Sequence, residues 1–226
     1  ERWMDSIIQD IDRIIQGIVI FALPVTLAIT LHEAAHGYVA KKFGDLTAYA
    51  QGRVTLNPLK HIDPMGTVVV PLLLLAVSSP YLFGWAKPVP INFGNLRHPK
   101  RDMLWVAAAG PGANFLMAFL WALVFKFGLT IPESNFSEPM LLMGQAGILV
   151  NVILLVLNLL PLPPLDGGRI AMSLLPQGIA YRFAQIEPYG FIILLVLLFT
   201  GVLGTVIEPF IFITIRLVAW VTGLQI

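Results

Sequence analysis

Thr30-Leu31-His32-Glu33-Ala34-Ala35-His36-Gly37 closes an apolar run that carries no charge from Ile14 to Leu31. The run reads as helix, and on a helix residues four apart share a face, so His32 and His36 aim their imidazoles at one point. That spacing suits a zinc ion, which takes neutral imidazole nitrogens in a tetrahedral shell. Glu33, one residue on, is placed to take a proton from a water at that point. On a soluble amphipathic helix two His and a Glu are often only a solvated face. Here Phe21, Leu23, Val25, Leu27, Ile29 and Leu31 precede them, and ionisable groups in such surroundings mark function.

The whole chain is apolar in the same way. Of 226 residues 57% are hydrophobic and only 12% charged, against about 25% charged in soluble domains, which makes this an integral membrane protein. A net charge of +1 gives no sign of a nucleic-acid partner. With no cysteine, disulfides and thiolate ligands are excluded, so a metal must be held by His, Asp or Glu. The N-terminal residues lack a signal-peptide cleavage pattern, so the first helix is expected to be retained.

Residues 1–13 read as an amphipathic lead-in and 14–40 as the first membrane helix, with Pro24 as a potential kink. Residues 47–57 (TAYAQGRVTLN) are β-prone. The apolar segment 66–83 is interrupted by Pro71 and Pro80, and residues 85–93 (WAKPVPINF) are extended, with two prolines that bar them from a central strand. A helix over about 102–127 contains Gly110-Pro111-Gly112-Ala113-Asn114, either a tight helix-packing site or part of a functional one. A second long uncharged run, 139–165, ends in Asn158-Leu159-Leu160-Pro161-Leu162-Pro163-Pro164-Leu165-Asp166-Gly167-Gly168. Its prolines break the helix near Leu160 and leave Asp166 on irregular backbone, which at membrane depth must be buried or line a wet cavity. Residues 168–187 read as a short helix and loop, and 189–204 and 208–226 as two further apolar segments. If 66–83 dips and returns, ten basic residues lie on the side of 41–101 and of the Asp166 loop, against three on the other. The positive-inside bias then makes that side cytoplasmic and brings His32 and His36 to the same face as Asp166.

A catalytic zinc needs a third protein ligand and an open position. Asp166, His61, His98, Glu187 and Glu208 are the candidates, and Asp166 ranks first as the only acid in its stretch. His32-Glu33-Ala34-Ala35-His36, Gly110 to Asn114, and Asn158 to Gly167 together resemble the site-2 protease family of intramembrane zinc metalloproteases, in the same order and setting. The resemblance covers about residues 17–185. It implies His32, His36 and Asp166 as ligands of one zinc per chain, Glu33 as general base and acid, and Asn158 as a contact to the scissile peptide or its oxyanion. It also implies a membrane-dipping β element from parts of 47–57 and 86–93, able to hold an unwound substrate as an added strand.

The expectation is an all-α, multi-pass membrane protein of about five to six apolar segments with that small β element. Residues 1–226 form a single domain, with its core at 17–185 and C-terminal helices at 188–226. The length leaves no room for a PDZ domain or a CBS pair. The expected function is zinc-dependent endopeptidase action on single-span membrane substrates, such as an anti-sigma factor or a remnant signal peptide, in the inner or plasma membrane with the active site toward the cytoplasm. The alternatives are a divalent-metal transporter, which has no need of a Glu beside the first His, and a catalytically inactive membrane adaptor.

Overall fold

The structure, a computed structural model, describes residues 2–76 and 84–225. The lead-in and the first apolar run form a single helix, α1 (Arg2–Lys42), with Pro24 inside it and Lys41 and Lys42 in its last turn, where cations meet the negative helix end. The short α2 (Thr47–Ala50) follows, then a π-helical turn over Pro64–Val69 that runs into α3 (Val70–Ala76). The long α4 (Pro99–Thr130) starts with proline at its first position, where no amide donor is missed. It pairs with α5 (Ser137–Asn158), which ends just before the prolines that deny it another turn. Then come α6 (Asp166–Leu174), α7 (Gln177–Ala184), α8 (Glu187–Phe199) and α9 (Val202–Thr222). Among the described residues four helices are long and apolar enough to cross a membrane: Ile15–Lys42, α4, α5 and α9. The bent pair of α7 and α8, at 63°, allows a fifth crossing. The two C-terminal segments divide at Gly201 (φ 76°), some residues earlier than hydropathy suggests, because only glycine takes that left-handed turn without strain.

Small residues let α4 and α5 approach closely, as apolar helices in lipid require. Gly147 leaves room for the Trp121 ring, and a Cβ on Gly144 would stand 2.9 Å from the Phe125 backbone. Ala118, Trp121, Ala122, Ile148, Val152, Val156 and Val218 form the main core around this pair.

The β element is absent among the described residues. Thr47–Ala50 is a helical turn, and 84–92 is an extended strap with no strand beside it. Strand propensity needs a pleated neighbour to act on, and here other groups take the strap's backbone. Trp85 N–H donates to the Gly66 carbonyl (3.1 Å), Lys87 N–H to the His61 carbonyl (3.0 Å) and Val89 N–H to Glu33 Oε2 (2.7 Å). Asn92 N–H donates to Asp45 Oδ2 (2.7 Å), and Arg53 Nη2 donates to the carbonyls of Lys87 (2.9 Å) and Pro88 (3.3 Å). The Trp85–Gly66 bond also brings the two ends of the 66–85 excursion together; residues 77–83, on which its depth depends, lie outside the described residues.

Asp45 fastens the strap to the end of α1. It is 1% exposed, and burial by itself raises its pKa. Hydrogen bonds from the Thr47 hydroxyl and amide, the Asn92 amide and the Asn95 side chain outweigh burial and hold the carboxyl below its ordinary 3.8. A depressed folded pKa stabilises above the unfolded value and is lost as pH falls through the folded one. The protection factor of the Asn92 amide, its exchange rate corrected for the intrinsic pH dependence, is therefore expected to fall below about pH 4. Asp45→Asn should speed that exchange at neutral pH by the equivalent of about 2 kcal/mol, and unchanged exchange there would remove Asp45 from this role.

Candidate metal centre

α1 carries His32 and His36 one turn apart, and the first residue of α6 brings Asp166 to them. Nε2 of His32 lies 3.0 Å from Nε2 of His36, and Asp166 Oδ2 lies 3.2 and 3.3 Å from the two nitrogens. Among the described residues these three form the one group of His and acidic side chains able to hold a metal ion. α6 can start there because Gly167 and Gly168 have no Cβ: side chains at these positions would run into the backbone of Leu159, Leu160, Leu162 and Pro163.

The two Nδ1 atoms face away from this point. His36 Nδ1 donates to the Val106 carbonyl (2.7 Å), and His32 Nδ1 lies 2.6 Å from Asn114 Oδ1. A carbonyl only accepts, so His36 holds its proton on Nδ1 and turns a lone pair inward at Nε2. Asp166 Oδ2 is buried without a hydrogen-bond partner, although it lies close to both Nε2 atoms. Lone pairs that converge without protons between them repel unless a cation joins them. Ligands of a tetrahedral zinc at its usual bond lengths stand about 3.3 Å apart. The observed spacings of 3.0, 3.2 and 3.3 Å therefore fit that ion.

Gly110, on α4, closes the back of the site. A Cβ there would stand 2.6 Å from His32 Nε2 and nearer still to His36 Nε2, whereas one on Gly112 would meet nothing. Of the two readings for the Gly110–Asn114 stretch, the structure puts Gly110 and Asn114 against the histidines. Glu33 lies beside the cluster, its Oε2 taken by the Val89 amide. Asn158 ends α5 and donates one amide hydrogen back to the Leu154 carbonyl (3.0 Å).

Two cavities meet here. A largely apolar one of about 470 Å³ reaches His32, Glu33 and Asn158 from Val25, Ile29, Phe191 and Leu194. A smaller one of about 150 Å³ reaches all three cluster residues and is lined on its far side by the strap and Arg169. The other candidate ligands lie elsewhere. His61 bonds the Thr55 carbonyl (3.0 Å), His98 is an exposed residue beside Asp102, Glu187 faces Arg169 (3.8 Å) and Glu208 is exposed on α9. Sequence reasoning missed the strap's grip on Glu33, and missed Asn151, which lies behind Asn114. An amide inside the uncharged run 139–165 was the available signal for Asn151.

Residues 130–200, which include Asn158 and Asp166 but not the histidines, match the model of Peptidase family M50. The chain is 43% identical over 193 residues to a Bacillus subtilis protein whose name assigns it provisionally to the zinc metalloproteases, covering 83% of this chain and 84% of that one. It is 34% identical to Rip2 of Mycolicibacterium smegmatis, provisionally named in the same way, over 79% of this chain and 66% of that one. No solved structure matches. Identity at the level of the first relative, over most of both chains, extends the relationship to the histidine half as well, and the chain belongs to Peptidase family M50.

Proposed function

We propose that the protein is a zinc-dependent endopeptidase that cuts single-span membrane substrates within or near their transmembrane helices. The observation that carries the reading is the trio His32, His36 and Asp166 at tetrahedral spacing, with Glu33 alongside, where an apolar and a smaller cavity meet.

His32, His36 and Asp166 would hold the metal. A zinc ion held there would supply Lewis acidity, toward a substrate carbonyl and toward water, whose pKa it would bring toward about 7. Glu33 takes the proton of the attacking water and passes it to the leaving amine as the peptide C–N bond breaks. Asn158, with one amide hydrogen bound to its own helix, offers the other to the substrate carbonyl as that oxygen gains charge. The apolar cavity suits a stretch of unwound helix. The strap, with no strand beside it among the described residues, supports a reading in which substrate lies along it in extended form. Lys41 and Lys42 in the last turn of α1, and Arg53, Lys60 and Lys87 in the segment that follows, support a cytoplasmic position for this end of the site. By resemblance to the family, an anti-sigma factor or a remnant signal peptide is the class of substrate to try first.

The test is metal content and cleavage measured together on purified protein in detergent, with a single-span substrate. About one zinc per chain is expected, with activity lost to a chelator and restored by zinc. Cleavage that survives complete removal of the metal would overturn the reading.

A further inference from the structure

We infer that Asn114 and Asn151 form a positioning relay that holds His32 in its Nδ1–H tautomer, so that its Nε2 lone pair faces Asp166 and His36; this rests on the zinc reading above. Both asparagines are 0% exposed, on α4 and α5 respectively, in helices long and apolar enough to cross a membrane. Such amides are costly there unless every polar atom has a partner.

The direction of the relay follows from its two ends. The Gly147 carbonyl can only accept, so the Asn151 group 2.9 Å from it is the NH₂. Asn151 therefore turns its oxygen to Asn114, and that oxygen must receive an N–H from Asn114 Nδ2 (3.0 Å). The Ala28 carbonyl imposes the same orientation independently, since it lies 3.3 Å from the same Asn114 Nδ2. Asn114 then has only its oxygen for His32, 2.6 Å from Nδ1. An oxygen accepts, so Nδ1 carries the hydrogen and the neutral ring leaves Nε2 bare. His36 reaches the same state through a backbone carbonyl, whereas His32 depends on two side chains from two other helices. Neither asparagine touches the point where the ligand atoms converge through its own amide, so both act through His32. Partners of this kind orient a metal-bound histidine and fix its tautomer.

The chain has four histidines, which makes nitrogen-15 histidine labelling tractable. In metal-free wild type, the His32 ring should show the Nδ1–H pattern at neutral pH. Asn151→Leu keeps side-chain bulk and removes the shorter of the two bonds that orient the Asn114 amide, leaving it only the 3.3 Å contact with the Ala28 carbonyl. It should mix the two tautomers and raise the zinc dissociation constant about 10-fold, with helix content unchanged. Asn114→Leu should weaken zinc further, toward 100-fold. Asn151→Thr should recover most of the affinity. A threonine hydroxyl can donate to the carbonyl four residues back, as Thr222 does to Val218 here, and still accept from Asn114. An Nε2–H pattern in wild type would overturn the relay, whatever the variants do. So would an Asn151→Leu protein with wild-type tautomer and affinity. Absence of zinc from wild type would instead strike the functional reading, and the tautomer spectrum would still judge the relay.

Discussion

Glu33→Gln is expected to keep its zinc and lose cleavage by a factor of about 10² to 10⁴. The substitution is nearly isosteric, and glutamine and glutamate are similar helix formers, so α1 has no reason to change. Glutamine also keeps the contact with the strap, because its amide oxygen can accept the Val89 N–H as Oε2 does at 2.7 Å. The amide cannot take a proton from water or carry one to a leaving amine. Metal binding and chemistry therefore separate in a single variant. Zinc stoichiometry from elemental analysis and single-turnover cleavage of a single-span substrate check both halves. A rate within about fivefold of wild type, with zinc bound, would assign the proton transfer to another group. Loss of zinc along with activity would mean that Glu33 supports the metal directly.

Gly110→Ala should weaken zinc binding by on the order of 100-fold, with no matching loss of fold stability. In an exposed helix interior this change stabilises by roughly 1 kcal/mol, because alanine is the better helix former. On α4 at this point the added Cβ would sit 2.6 Å from Cε1 and Nε2 of His32, and His36 is nearer still. Both rings must shift, and the 3.0–3.3 Å spacing of the three ligand atoms cannot survive that shift. Gly112→Ala is the internal control. Its Cβ meets nothing, so affinity should stay within about twofold of wild type, in keeping with the small effect of substitutions that disturb no packed or bonded group. Chelator competition gives the affinities, and thermal unfolding of the metal-free proteins gives the stability. If Gly110→Ala bound zinc as tightly as Gly112→Ala, the rings would have more freedom than their Nδ1 bonds imply.

The histidine pair and the Asp166 turn were legible in the sequence because both break a rule that the rest of the chain obeys. Charge-capable groups interrupt long apolar runs, and prolines followed by glycines end a helix where hydropathy alone would continue it. Helix content was legible for the same reason, since apolar runs of that length have few other solutions in lipid. The strap was not. Its conformation is set by Arg53, Glu33, Asp45 and two carbonyls that come from other parts of the chain. No local pattern in 84–92 names those partners, and the β-prone stretch 47–57 had no strand to pair with among the described residues. Asn151 was missed although the reasoning that singled out His32 applies to it equally: a buried amide in such a run needs a reason to be there.

The prolines of the strap carry a parity. In an extended chain successive amides point to opposite sides. From 85 to 90 the amides of Trp85, Lys87 and Val89 are bonded, and prolines occupy positions 88 and 90 between and beyond them. The run is therefore in phase with its fastenings rather than broken by its prolines. The order of residues matters here independently of their composition. Exchanging Pro88 and Val89 would leave mass, charge and hydropathy unchanged, yet it would remove the amide that bonds Glu33. Variation from 85 to 90 is then constrained by a counting rule: positions 85, 87 and 89 need an amide hydrogen and exclude proline, whereas the prolines fall at 88 and 90. A substitution matrix that scores residues one at a time has no way to represent such a rule.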